Sequence, residues 1–394
     1  MTRRLNFIGA AAIAVTTSAC EEAEHACADA DGISCIWAGT GKAGFNGDGK
    51  ELRSSKLYWP VDVTFAESGA YVLDWNNHKV RRVEDDNTFE TVIGTDFVGD
   101  GDPLKADLMA PGVPGDTVAL NHPTNFVELG DGTMMLIAWH NHKLRHFDPK
   151  SGLTYVACGR GAGFDGDGMP AFTDVTRFSQ PSSAVVAPDG AMFVLDQRNQ
   201  RIRKIGADGI IDTVVGDGMP GFAGDGGDPL MAQVNFPTGP NPQPNGTMAL
   251  DGDGRLYFAD SLNHRIRRVD FAQQTIETVI GTGEAGFGGD GGPGSAAAIA
   301  NPRDLAIGPD GRLYFADEMN HRVRAFDPDS GTVETVVGSG EDGAKAKELD
   351  DGLEALQTAL SRPTGITFDP DGYLYVSDTN NHVVRRVNLE GVTP

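Results

Sequence analysis

The residue types best suited to chemistry recur at fixed places in this 394-residue chain. Five histidines, His78, His142, His264, His321 and His382, stand at one point of a repeated phrase. A metal needs its ligands to converge at about 2 Å. One copy per repeat spreads the histidines apart, so a structural role is expected of them. Asp48, Asp100, Asp167, Asp225 and Asp290 stand in Gly-Asp-Gly loops. An EF-hand calcium loop needs acidic residues at alternate positions, a central Gly and a closing Glu. Asp251-Gly-Asp-Gly-Arg255 departs from it at the third ligand position, and the other loops lack the pattern. Turn formation is the favoured reading, with Gly allowing the sharp backbone and Asp capping it. Bridging calcium is the secondary one. Gly39-Thr-Gly-Lys-Ala-Gly44 has the spacing of a dinucleotide loop, but no helical pattern follows it, and that chemistry needs a helix there.

The exceptions to the repeat carry more. Each repeat opens a β-rich run on a proline. The second residue after it is Asp62, Asn125, Ser183 and Asp304 in four copies, and Gly239 and Gly365 in two. His122 and Arg303 flank this set. If these runs surround a common axis, their oxygens converge where a ligand or a hard cation would bind. Asp62, Asn125 and Asp304 are the candidate metal ligands, and calcium or another divalent ion the candidate cofactor. Such an ion would polarise a substrate oxygen or activate a water. The plain alternative is a hydrated channel. Trp139 and His140 replace the usual residues of the second copy and are a candidate exposed recognition patch. Gly239-Pro-Asn-Pro-Gln-Pro-Asn-Gly246 is an insertion, either surface decoration or a binding loop.

These residues are placed by a repeated unit. The phrase Asp74-Trp-Asn-Asn-His-Lys-Val-Arg81 returns from Asp196, Asp260, Asp317 and Asp378, with a degraded copy from Ala138. The starts lie 64, 58, 64, 57 and 61 residues apart. Before each phrase come a β-rich run, a turn such as Asp369-Pro-Asp-Gly372 and a second apolar run. After it come an alternating strand and a fourth one. Four short strands per copy, six times over, predict an all-β, six-bladed β-propeller of antiparallel blades. The sixth copy stops where its fourth strand should begin. Ile33 to Phe45 aligns with Thr275 to Phe287, so the N-terminal strand is expected to complete the last blade and remove a sheet edge. Within the phrase, Asn is expected to take the left-handed turn position, and Asp to accept from turn amides and the following Arg.

Six copies of Asp-x-x-Asn-His-(Lys/Arg)-(Val/Ile/Leu)-Arg resemble NHL repeats, as do loops such as Gly286-Phe-Gly-Gly-Asp-Gly-Gly-Pro293. The resemblance covers nearly the whole chain after its N-terminal segment and implies the same propeller. It implies little about function. NHL propellers serve as ligand or protein platforms, as sensor domains and, in some relatives, as lyases with a metal in the central channel.

The bulk numbers bound the partners. A net charge of −24 with no Lys/Arg cluster argues against nucleic acid and against direct docking on anionic lipid. Arg3 and Arg4, the apolar run Phe7 to Val15, and Thr17-Ser-Ala19 before Cys20 form an export signal. Ser18-Ala19-Cys20 is similar to a bacterial lipobox, which implies lipidation of Cys20. Cys27 and Cys35 are candidates to pair, with Cys158 left over. The organisation read from the sequence is a signal over residues 1–19, a linker over 20–31 and one propeller over 32–391. The functional expectation is an exported, lipid-anchored, monomeric module in the periplasm or on the cell surface, binding a protein, glycan or envelope ligand. The alternative is a metal-assisted lyase or hydrolase acting at the channel mouth.

Overall fold

The computed structural model describes residues 30–390 and 392, apart from 103, 240–242 and 346–347. The described strands form six antiparallel sheets arranged as the blades of a propeller. In blade 1 the strands run Pro60–Ala66, Gly69–Asp74, Lys79–Val83 and Thr88–Ile93 from the axis outward. Blades 2, 3 and 5 begin at Pro123, Pro181 and Pro302, and blade 4 at Met248. Blade 6 comprises Gly365–Phe368, Leu374–Asp378, Val383–Val387 and, from the other end of the described chain, Ile33–Ala38. Ile33–Ala38 pairs antiparallel with Val383–Val387, placing Ser34 opposite Val387 and Ala38 opposite Val384. Four blades gain a two-residue strand, such as Lys50–Glu51, on their outermost strand, which shortens the exposed edge.

The core is layered between blades. Six apolar clusters each join two neighbours. The cluster spanning the closure sets Ala38, Tyr375 and Val384 of blade 6 against Leu57, Val63, Val72 and Phe89 on the blade 1 side. Packing and strand pairing therefore both close the ring. Alternation within each strand turns one set of side chains toward each neighbour, so a central strand such as Met134–Ala138 is buried throughout.

Each phrase forms one turn of 3₁₀-helix between the second and third strands. The left-handed residue is the histidine, not the expected asparagine. His78, His142, His264, His321 and His382 have φ of 51 to 57°, and Gln200 takes the same conformation in blade 3. The cost of a non-glycine there, roughly 1 kcal/mol, is met by a side-chain bond described below. Cys35 is disulfide-bonded and Cys158 is a buried free thiol. The signal segment and Cys20 lie outside the described residues.

Candidate functional site

The phrase residues are committed to the scaffold. The histidine Nδ1 accepts the main-chain N–H of a residue leading into the next blade. His78 accepts from His122 at 3.1 Å, His142 from Gln180 at 2.9 Å, His264 from Asn301 at 3.2 Å and His321 from Arg362 at 3.1 Å. His382 closes the ring by accepting from Trp59 at 3.3 Å. In blade 3, Oε1 of Gln200 accepts from Phe236 at 2.9 Å. The phrase Asp accepts a loop N–H, as Asp74 does from Tyr58 at 2.7 Å. The phrase Asn donates to that Asp and to a loop carbonyl, as Asn77 does to Asp74 and Gly44. The phrase Arg is fully buried, and in blades 3, 4 and 5 it pairs with the Gly-Asp-Gly carboxylate: Arg203 with Asp167 at 2.6 Å, Arg267 with Asp225 at 2.8 Å and Arg324 with Asp290 at 2.6 Å. Those loops are thus pinned by arginine and by a neighbouring threonine hydroxyl.

Two adjoining chambers lie on the axis. The inner one, about 30 Å³, takes walls from all six blades, among them Asp62, Asn125, Ser182, Thr247, Asp304 and Thr364. The outer one, about 180 Å³, opens on the face of the phrase turns and is walled by Trp59, Trp75, Gln243, Arg303, Glu318 and Arg362. Val61, Pro244, Arg303 and Thr364 belong to both.

Asp62, Asn125, Asp304 and Arg303 are therefore brought together, as the sequence suggested. Ser183 is not part of the wall, and its neighbour Ser182 is. The sequence placed Gly239 at this level in blade 4. That is corrected: the chain passes through the insertion first, and Thr247, opposite Ala259, holds the position. The insertion is not peripheral. Gln243 and Pro244 form part of the roof, held because Gln197 donates to the carbonyls of Pro237 and Gln243 at 2.9 and 3.0 Å and accepts the N–H of Asn245 at 3.0 Å. Bulges after Pro60, Pro123 and Pro302 accompany two consecutive residues lining the axis: Val61 with Asp62, Thr124 with Asn125, Arg303 with Asp304. Sequence reasoning counted the second of each pair and, among the first residues, Arg303 alone, and it missed Trp59, Trp75, Glu318 and Arg362 altogether.

The electrostatics are uneven. Burial, with Asp304 nearby, holds the Asp62 carboxyl well above the usual range. Burial likewise lifts Asp304 to about 6. Asn125 donates to Asp62 at 2.9 Å and accepts the N–H of Ala184 at 2.9 Å. Asp304 accepts the N–H groups of Leu305 and Ile366 at 2.9 and 2.8 Å. Protein donors thus already occupy an oxygen of Asp62 and of Asn125 and both oxygens of Asp304. No cluster of three or more His, Cys, Asp or Glu among the described residues is placed to hold a metal. Glu318 is bound tightly by Arg362, 2.8 Å from its Nε, and by the amide of Asn301. Arg303 is only 7% exposed. Among the described residues its guanidinium makes no hydrogen bond, and its ion pair with Glu318 is 3.8 Å long.

His122 lies outside both chambers. Its ring stacks on Trp75 at 4.0 Å and reaches His140, with Nδ1 to Nδ1 at 2.8 Å. Burial is the first cause that lowers His122 to about 3 and His140 to about 4. Trp139 is fully buried, and its indole N–H donates to Gln197 at 3.2 Å. The expected exposed Trp139 patch is thus replaced by a buried aromatic row, with His140 half-buried on top.

A family model described as NHL repeat matches residues 360–386. NHL repeat-containing protein 2 of Bos taurus is 27% identical over 300 residues, covering 70% of this chain and 39% of that protein. Protein SUPPRESSOR OF QUENCHING 1, chloroplastic, of Arabidopsis thaliana is 29% identical over 273 residues, covering 66% of this chain and 24% of that protein. The chain thus spans well under half the length of these relatives. A solved structure, an auxiliary nutrient binding protein from Bacteroides ovatus, superposes with a TM-score of 0.60 at 15% identity, covering 91% of this chain and 76% of that one. That likeness is one of fold.

Proposed function

This chain is an NHL-repeat six-bladed β-propeller, and from that premise we propose that it is a binding module whose ligand enters at the axial mouth. One observation carries the reading. The repeated polar groups are spent on holding blades together, whereas the residues where copies differ converge on the chambers. Polar groups meeting in a concave site beside aromatic walls are how small-ligand pockets are built. A nutrient-binding propeller of the same fold is a parallel consistent with this reading.

Export through residues 1–19, anchoring through Cys20 and a ligand from the cell envelope complete the proposal. Cell fractionation, and labelling with a clickable fatty acid in wild type and Cys20→Ala, test the first two. A thermal-shift screen of sugars, oligosaccharides and organic acids on the purified propeller tests binding. At least one class should stabilise the wild type, with the gain reduced in Arg303→Met. Stabilisation that Arg303→Met leaves untouched would move the site away from the axis.

A further inference from the structure

We propose that the outer chamber is a carboxylate site, with the Arg303 guanidinium as the group that takes the anion. The inference rests on the binding-module reading and deepens it.

A buried guanidinium without acceptors is costly, because each unmade charged bond forfeits the solvation it had in water. Arg303 is largely buried, and its guanidinium, with no protein hydrogen bond among the described residues, faces the open chamber. Glu318 relieves that cost only in part, as a nearby charge without a hydrogen bond. That carboxylate is already held by Arg362 and Asn301, and 3.8 Å to Arg303 is beyond a hydrogen bond. The outer chamber itself holds two guanidiniums, Arg303 and Arg362, against one carboxylate, Glu318, while Asp304 in the inner chamber is a further carboxylate near Arg303. An anion entering the outer chamber meets an excess of positive groups there, and a single charge is the most the surrounding carboxylates allow.

The shape of the guanidinium selects further, since its parallel N–H groups match a carboxylate in a two-bond fork. A phosphate dianion fits the charge less well, with Glu318 in the wall and the Asp62–Asp304 pair in the chamber below. The ligand's body is set by the remaining walls. Trp59 and Trp75, 5.9 Å apart, offer aromatic surface to a flat ring or to the C–H face of a sugar. At about 180 Å³ the chamber is smaller than pockets for drug-sized ligands. The ligand class is therefore a small ring-bearing monocarboxylic acid, or the acidic end residue of a longer chain.

The test is calorimetric titration of the purified full chain with matched probes: benzoate against benzamide, glucuronate against glucose, and inorganic phosphate as competitor. We expect an acid to bind at least about tenfold tighter than its neutral partner, as loss of a charged hydrogen bond predicts. Arg303→Met, checked for native circular dichroism, should abolish that preference, and Arg303→Lys should weaken it by removing the fork. If neither variant folds, the preference of wild type for acid over amide still decides. Neutral probes that bind as well as acids, or phosphate that displaces them, overturn the carboxylate assignment and leave the binding module standing. Silence of every probe, together with no stabilisation by any compound in the broader screen, overturns both.

Discussion

Nδ1 of His321 accepts the main-chain N–H of Arg362 at 3.1 Å. The repeat that builds the ring thus also holds a wall of the outer chamber, because Arg362 is the residue that clamps Glu318. Scaffold and site meet in one bond.

The same bond in blades 2 and 3, away from the outer chamber, tests the scaffold alone. His142→Ala leaves the N–H of Gln180 without its acceptor and should cost about 1–3 kcal/mol in urea unfolding. His142→Gln should cost much less, since Gln200 already performs this task in blade 3. Equal losses for the two would refute the acceptor role.

Blade 2 has solved a missing carboxylate in another way. Ala138 stands where other phrases have Asp, and the buried Arg145 pairs instead with Asp107 at 2.6 Å. Asn141 takes over the loop N–H, from Asn121 at 3.0 Å. Removing one partner of a buried ion pair costs roughly 3–5 kcal/mol. Asp107→Ala should approach that loss, and Ala138→Asp in the same chain should recover part of it. A double variant no more stable than Asp107→Ala would contradict the substitution of one carboxylate for the other.

Acid should act on the histidines first. Nε2 of His122 donates to Asn76 at 3.1 Å, so its Nδ1 is the acceptor and His140 carries a proton on Nδ1. With folded values of about 3 and 4 against about 6.5 unfolded, both remain neutral in the fold at pH 5. The sign follows from linkage: their contribution is complete above about 6.5 and is lost as pH falls toward their folded values. Burial also lowers the phrase histidines. The phrase aspartates oppose this, since burial lifts Asp74, Asp260 and Asp317 to about 6 and Asp196 to about 7. Imidazole ¹⁵N spectra separate the two. They should show His140 as the Nδ1–H tautomer and no titration of either ring above pH 5; a midpoint near 6.5 for His122 would contradict the buried pair.

Ring closure predicts a cooperative unit. Deleting the chain through Ala38 strips the outer strand from Val383–Val387 and opens the apolar layer shared by Ala38, Val384 and Val63. The expected result is a large fall in melting temperature with aggregation through the bared edge. A melting temperature within a few degrees of the full chain would mean the ring does not depend on that strand.

The sequence was most legible where it repeated. Six phrases and the alignment of Ile33 with Thr275 led directly to the blades and their closure. It was least legible where one copy imitated another. Pro237-Thr-Gly239 has the same form as Pro363-Thr-Gly365, yet the insertion delays the strand and sets Thr247 at the axis. Likewise the bulge after Pro302 brings Arg303 into the wall beside Asp304, and strict alternation gives no sign of a bulge. Glu318 and Trp75 open their phrase turns next to the conserved-looking Asp, so only the ring's geometry turns them into chamber walls.

Hydrogen–deuterium exchange on the purified chain, with and without a low-molecular-mass envelope extract, reaches the central claim most directly. A ligand at the axial mouth should slow exchange in peptides covering residues 59–62, 301–304 and 362–364 while leaving the outer Gly-Asp-Gly loops unchanged. Protection confined to those outer loops would contradict binding at the axis.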